Sequence, residues 1–403
     1  MGIYSRYASK IRWKYRKNRA DIKGILGGYH PKFVLPGKEK ALQDEIPVFF
    51  FHKVEPEPFR AKLQYLKRNG YTTLTGDELL RVIEGKKSVP ERAVALTFDD
   101  GMASLYTVAF PLLKEFDFRA ISFIIPGCIP DSAPETPTYE DVKTGQASPG
   151  DLLRRESGAY PLCSWQEIEE MHASGHIDFQ AHSMHHHLIH VSPHLVDFIH
   201  PDYDRHPADF NVPAYPVNGY QEYTRDVGDG APVFWAESRL SGMPRYFDNE
   251  EVRNACLEFV ENRGGETFFE NRGWRRRLTR LYREEKRRSA PGAWETEEKM
   301  RQEISSEIAE CKKVIEQKIP GTTVDHFCFP WFVGSEVAVR EAREAGYRAL
   351  YWGMLGDERT NRPGGDLMRI SRLENTYIYR LPGKGRKSLS SLLWDKAKDI
   401  IRT

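Results

Sequence analysis

Four short stretches of this chain hold residue types that could act on a substrate. The first is Thr97-Phe98-Asp99-Asp100-Gly101, where two adjacent carboxylates end an apolar run. Adjacent carboxylates repel each other, and a bound cation offsets that cost. Consecutive side chains diverge, so one Asp can ligate while the other serves as a base, a division suited to metal-assisted hydrolysis. A helix N-cap pair is the structural alternative. The second stretch is His182-Ser183-Met184-His185-His186-His187. Imidazoles four apart meet on one face of a helical turn and can grip a metal together. That spacing favours His186 as the partner of His182, with His187 as a substitute and His185 after it. The third stretch is Phe327-Cys328-Phe329-Pro330-Trp331-Phe332. A proline closing a strand fixes the chain direction, so the Trp331 N–H could serve an oxyanion; an ordinary aromatic strand end is the alternative. The fourth is Phe51-His52-Lys53, whose histidine could protonate a leaving group or be a plain surface residue. Asp-His-His ligation leaves a metal open to water, which separates catalytic from structural sites.

These stretches need elements to hold them. Pro47–Phe51 reads as a buried strand, and Phe59–Asn69 as a helix stopped by Gly70. Thr75 and Glu78 form a capping box for a helix ending near Gly85. Ala93–Phe98 is a strand, Leu105–Phe116 a helix and Ala120–Ile125 a strand. Ser164 and Glu167 cap a helix that stops at Gly175, and Ile177–Ala181 is the next strand. The unit returns as Phe327–Phe329, a helix near 335–345 and Tyr347–Tyr351. Such alternation predicts an α/β fold, a parallel sheet or barrel wrapped by helices. All four stretches then follow strand ends, where ligands bind in these architectures.

Other segments break the rhythm. Residues 127–163 are rich in Pro, Gly and Ser and read as a loop. Residues 190–294 read as an inserted subdomain or long loops, including Arg272–Arg288 with nine Lys/Arg and two Glu. That run is read as a solvated helix face, with attraction of an acidic substrate or lipid headgroup as the alternative. A helix over about 295–318 carries Ile304, Ile308, Cys311 and Ile315 on one face. The expected organisation is a basic extension over 1–46, a core over 47–189 and 295–380, the insertion, and an amphipathic helix over 381–403.

Composition limits the class of protein. The 403 residues include 59 Lys+Arg against 58 Asp+Glu, with 40% hydrophobic and 29% charged residues. This excludes a disordered chain, a collagen-like chain and a globally basic nucleic-acid binder. No apolar run reaches membrane-spanning length. The five cysteines are scattered and lack CxxC spacing, which fits a reducing compartment. With no secretory signal evident, the expected location is cytoplasmic. The basic, Tyr-bearing segment 1–24 and the Leu389, Leu392, Leu393, Ala397, Ile400 stripe suggest peripheral contact with the inner membrane leaflet.

Together the motifs resemble the polysaccharide deacetylases of carbohydrate esterase family 4. The resemblance covers about residues 47–128, 164–189 and 297–375. Thr97–Gly101 is similar to the family's TFDDG motif, His182 through His186 to its paired-histidine motif, and Phe329-Pro330-Trp331 to its third motif. It implies a distorted (β/α)7 barrel with a large insertion after the second motif. Asp100, His182 and His186 would hold a divalent metal, most often zinc. Asp99 would be the general base toward water, and the Trp331 N–H would help hold the oxyanion. The family's late acid histidine is absent, since no histidine follows His326. The branch seen in biofilm poly-N-acetylglucosamine deacetylases instead carries a histidine on the first strand, which implies His52 as the acid. The arginine that usually opens the third motif is also missing; Arg369 is its expected replacement, with Arg372 behind it. The implied activity is removal of N-acetyl groups from a glycan or glycolipid, an N-acylated carbohydrate substrate with no nucleic-acid partner. Deformylation or O-deacetylation of a lipid-linked sugar, and a catalytically silent carbohydrate-binding protein, are the alternatives. A nucleic-acid hydrolase using Arg272–Arg288 has only charge to support it.

Overall fold

The computed structural model describes residues 24, 27–35, 42, 45–217, 222–356 and 360–394. Residues 1–23 of the basic segment and residues 395–403 of the expected C-terminal helix lie outside them. In chain order the first elements are β1 (Val48–Phe51), α1 (Pro56–Arg68), β2 (Thr72–Thr73), α2 (Gly76–Ile83) and β3 (Ala93–Asp100). Next come α3 (Phe110–Phe116), β4 (Ala120–Ile124), α4 (Tyr139–Thr144), α5 (Trp165–Ala173) and β5 (Ile177–Ala181). The capping boxes form as expected. Thr75 accepts from the Glu78 N–H and Ser164 from the Glu167 N–H, with each glutamate returning to its cap's own N–H. Such caps satisfy amides that helix geometry leaves without partners, so α2 and α5 start where the chain spells them.

Then follow β6 (Leu188–Phe198), β7 (Tyr215–Val217), β8 (Glu222–Thr224), β9 (Pro232–Ser238), β10 (Tyr246–Phe247), α6 (Glu250–Glu261), α7 (Trp274–Arg288) and β11 (Ala293–Trp294). The chain returns through α8 (Glu297–Lys318), β12 (His326–Cys328), α9 (Glu336–Glu344), β13 (Ala349–Tyr351) and β14 (Leu373–Glu374). Two compact units result. One holds the described residues within 13–185, 306–332 and 339–403; the other holds those within 186–305 and 333–338.

The first unit is built on a parallel sheet of order β13-β12-β5-β4-β3-β1-β14, with β2 added beside the start of β3. The sheet closes on itself. Ile370 bridges Tyr351 in parallel, and three residues on, Leu373 pairs with Phe49 of β1. The stretch 370–374 therefore joins both edges of the sheet and completes a seven-stranded barrel. Its interior is filled by Val48, Ala93, Ala95, Ile121, Phe123, Cys328, Tyr351 and Ile370. Side chains alternate along a strand, so Thr97 and Asp99 share the inward face of Ala93 and Ala95. Asp99 thereby enters the barrel at its upper rim.

Some segments differ from the expected reading. Leu105–Phe116 opens as a π-helical turn, Leu105–Ala109, in which the Phe110 N–H donates to Leu105 five residues back. Pro111 lacks an N–H, and a wide turn just before it accommodates the missing donor. Residues 127–163 hold α4 and short 3-10 turns rather than plain loop. At the C-terminus, residues 381–388 are turn and coil; helix begins at Leu389.

The second unit pairs β6 with β9 antiparallel, with register shifts beyond His190. Phe198, Phe234, Tyr246, Cys256, Leu278 and Tyr282 form one core there, and Ile199, Val212, Tyr215 and Val233 another. The basic run is α7, with Leu278 and Tyr282 buried and Arg276, Arg280, Arg283 and Arg287 exposed. Among the described residues no helix is long and apolar enough to cross a membrane.

Candidate active site

Parallel strands end together, so the barrel's upper rim collects the residues at or just past the ends of β1, β3, β5 and β12. Those residues are His52, the Asp99–Asp100 pair, His182 and Phe329-Pro330-Trp331. Backbone strain gathers there as well. Among the described residues eight non-glycine positions have positive φ, and Asp100 (69°), Ser183 (68°), His186 (55°), Trp331 (58°) and Phe332 (60°) are five of them. Such conformations cost roughly 1–3 kcal/mol each and persist only where surroundings over-determine them.

Asp99 is held by an arginine. Arg372 Nη1 donates to Asp99 Oδ1 at 2.6 Å and Nη2 to Oδ2 at 2.8 Å, a bidentate fork. The expected Arg369 does not fill this position: Asp99 is gripped by Arg372, the second choice on sequence grounds. The reason is the register of the closing stretch. Arg369 ends a 3-10 turn outside the barrel strands, whereas Arg372 stands just before β14. There its guanidinium lies 5.5 Å from the Phe50 and Phe123 rings and 5.3 Å from Phe332. Thr97 Oγ1 accepts from Nη1 at 3.1 Å and the Trp352 carbonyl from Nε at 3.1 Å, so the fork is fixed on every side. Burial alone would raise the Asp99 pKa, but the Arg372 charge, then His182, the Arg372 hydrogen bonds and His52 outweigh it and hold it down at about 2.

Asp100 experiences the opposite field. Burial, then the Asp99 charge, raise its pKa well above the usual carboxylate range. It ends β3 with a left-handed backbone. Ligand atoms of Asp100, His182 and His186 all lie within 4.8 Å of one another, and all three residues are buried. His182 Nδ1 bonds the Cys328 carbonyl at 2.8 Å, which leaves Nε2 toward Asp100 Oδ1 at 3.5 Å. Burial lowers the His182 pKa and favours the neutral imidazole, the form that ligates metals. A buried carboxylate with a raised pKa beside two imidazoles is a donor set suited to a divalent first-row cation. Asp99, His182 and Cys328 form a second such group, but Arg372 holds both Asp99 oxygens and burial keeps the Cys328 thiol protonated.

The grip is not a helical turn. Residues 182–187 are irregular, with Ser183 and His186 in the left-handed region. The alternatives for the second imidazole have other occupations. His185 is bonded to Glu307, and the His187 ring lies edge-on to Tyr223 at 6.1 Å. His186 is steadied by the Phe210 ring at 4.8 Å and by Arg225, whose Nη2 donates to its carbonyl at 3.0 Å.

His52 Nε2 lies 3.8 Å from Asp99 Oδ2, and the ring is about half exposed. Its loop is anchored by a residue that sequence reasoning missed. Glu156, fully buried in the 127–163 segment, accepts from the Ser104 N–H at 2.8 Å and pairs with Lys53 at 3.0 Å. Ser104 Oγ in turn accepts from the Val54 N–H at 3.1 Å. Nothing in the composition of that loop marks Glu156. Glu307, also missed, had a signal: it sits among Ile304, Ile308 and Cys311 on the buried stripe of α8.

Gly127 packs beneath the 182–186 loop. Its N–H donates to the Met184 carbonyl at 2.9 Å, and a Cβ there would stand 2.6 Å from that same oxygen and 2.8 Å from His185 Cδ2. Gly127→Ala is therefore expected to displace the loop and weaken divalent-cation binding about tenfold. Isothermal titration of the metal-free protein checks this, and unchanged affinity would show that the loop yields freely.

Residues 86–199 match the polysaccharide deacetylase family. The chain is 30% identical over 146 residues to the poly-beta-1,6-N-acetyl-D-glucosamine N-deacetylase of Escherichia coli K12, covering 36% of this chain and 20% of that protein. The enzyme of the same name from Staphylococcus epidermidis is 26% identical over 132 residues, 33% of this chain and 37% of its own. The chain thus spans well under half the length of these curated relatives. Among solved structures, a de-N-acetylase from Aggregatibacter actinomycetemcomitans superposes with a TM-score of 0.50 at 16% identity, covering 89% of this chain and 100% of that one. That likeness is one of fold. The segment contributing Asp99, Asp100, His182 and His186 thus matches the polysaccharide deacetylase family, and it is set in a (β/α)7 barrel fold.

Proposed function

We propose that this protein is a metal-dependent hydrolase that removes acetyl groups from an N-acetylated amino-sugar glycan. The observation that carries the reading is one cluster: buried Asp100, His182 and His186 with converging ligand atoms, beside an Asp99 clamped in its ionised form by Arg372. The match of residues 86–199 to polysaccharide deacetylases and the names of the relatives support the same chemistry.

A divalent cation on Asp100, His182 and His186, with Zn²⁺ our choice, would supply Lewis acidity toward water and the acetyl carbonyl. The rest is the work of the chain. Asp99 takes a proton from the attacking water; each of its oxygens has two lone pairs, so the Arg372 fork leaves acceptor capacity. Arg372 keeps that carboxylate oriented and charged. As the carbonyl oxygen gains charge, the Trp331 backbone N–H, at the left-handed turn after β12, is the assigned donor. His52 protonates the amine as the C–N bond breaks, and acetate and a free amino sugar result. The test is acetate release from poly-β-1,6-N-acetylglucosamine oligomers, with N-formyl and O-acetyl sugars alongside. Greater turnover of either comparison substrate would move the assignment to deformylase or esterase.

Cation dependence has its own check. Asp100→Asn and His182→Ala are expected to lose stoichiometric zinc and essentially all turnover, because three ligands give no redundancy. Metal analysis after gel filtration measures this; full zinc occupancy in both variants would remove these residues as ligands.

A reducing compartment belongs to the same reading, supported by the buried free thiols of Cys163, Cys256, Cys311 and Cys328. Peripheral membrane contact through residues 1–24 rests on their composition, eight basic residues interleaved with tyrosines and one acid. Cosedimentation with anionic vesicles, with and without that segment, tests it.

A further inference from the structure

The loop between His182 and His186 contains two residues in the left-handed region, Ser183 and His186. A non-glycine residue leaves that region readily unless its surroundings prevent it. One residue outside the loop supplies three of the restraining bonds. Glu307 of α8 accepts the His185 N–H on Oε2 at 2.9 Å and the His185 Nδ1–H on Oε1 at 2.8 Å. Its backbone carbonyl accepts the Met184 N–H at 2.9 Å. On the other side of the loop, the Gly127 N–H donates to the Met184 carbonyl. The helix behind Glu307 is itself firmly packed: Ile304, Ile308, Cys311 and Ile315 are fully buried, and the Tyr347 hydroxyl donates to the Ile308 carbonyl at 3.0 Å.

A buried carboxylate at this position is otherwise hard to account for. The inner stripe of α8 is apolar, and an acid within it is costly unless it is fully used. Glu307 is used on both oxygens, and both serve the one residue next to His186. We infer that Glu307 is a positioning residue for the cation: it sets the loop that carries His182 and His186, and so sets metal affinity without ligating. The inference rests on reading Asp100, His182 and His186 as the ligands. Outer groups that orient ligands in this way typically contribute about 10- to 100-fold in affinity.

The test is Zn²⁺ affinity of the full chain, by competition with a chromophoric chelator, for wild type, Glu307→Gln, Glu307→Ala and Asp100→Asn. Glu307→Gln keeps the shape and one acceptor and is expected to bind about tenfold more weakly. Glu307→Ala loses both side-chain bonds and is expected to bind about 10- to 100-fold more weakly. Amide exchange of metal-free protein gives a second readout: the His185 N–H should lose protection in Glu307→Ala while amides of β3 and β4 keep theirs. That comparison separates a local release from a general loss of fold. Zn²⁺ affinity within twofold of wild type in both Glu307 variants, or unchanged His185 protection, overturns the inference and leaves the ligand assignment standing. Equal binding by wild type and Asp100→Asn overturns the ligand assignment and this inference with it, a different and recognisable result.

Discussion

Arg372→Met is expected to cost the protein about 3–5 kcal/mol of stability and to raise the pH at which activity appears. The first effect follows from burial. Asp99 and Arg372 are almost wholly excluded from solvent, and removing one partner strands the other's charge. The second follows from the field at Asp99. Burial pushes its pKa up, and the Arg372 charge is the largest influence bringing it from the ordinary 3.8 to about 2. A depressed native pKa adds stability that is present above the unfolded value and is lost as pH falls toward the native one. In the intact protein this contribution, on the order of 2 kcal/mol, should therefore disappear between about pH 4 and 2. In Arg372→Met burial is opposed only by His182 and His52, so the Asp99 pKa should rise. The acid limb of kcat/KM for acetate release should then move up by at least one pH unit. Arg372→Lys is the informative companion. It keeps a charge but not the planar fork, so it should hold the acid limb nearer to wild type while lowering turnover through poor orientation. Chemical denaturation and pH–rate profiles measure both effects. An acid limb that stays in place in Arg372→Met would mean that another group governs ionisation at the site.

The reversal between Arg369 and Arg372 shows what was legible in the chain and what was not. Strand ends were legible because β3 is an apolar run that stops abruptly at Asp99-Asp100, and β5 leads directly into the histidine cluster. The barrel places every such end on one rim, so the acids and histidines could be grouped before any distance was known. Capping at Thr75 and Ser164 was legible for a similarly local reason, since each box is completed within four residues. The choice of arginine was not local. It depends on how the 370–374 stretch closes the barrel against β1 and β13, and three residues of register decide whether a guanidinium lands inside or outside. The helical grip at 182–187 failed in the same way. Spacing of four suits a helix, but Glu307 and Gly127, both far along the chain from the loop they hold, impose a different path. Glu156 left no trace in sequence, because its partners Lys53 and Ser104 are assembled only by the fold.

The base assignment carries the largest expected loss of turnover, and its test must avoid a trap set by the same ion pair. Asp99→Asn should lower kcat about 100- to 10,000-fold, the usual range for removing a positioned proton acceptor. Taken alone, that loss would be ambiguous, because an amide in place of the Asp99 carboxylate leaves Arg372 as an unopposed buried cation and the fold could loosen around it. The double variant Asp99→Asn/Arg372→Met removes both charges together. Replacing a buried pair by neutral groups is often close to neutral for stability, so the double variant should regain much of what either single variant loses. Its turnover should not recover, since no carboxylate remains to accept the proton. Zinc affinity should stay within a few-fold of wild type in both, as Asp99 is engaged by Arg372 rather than grouped with His186. Stability that recovers without turnover separates chemistry at Asp99 from its structural part. Recovery of acetate release in the double variant would instead mean that the proton leaves by another route, with His52, 3.8 Å from Asp99, the first group to examine.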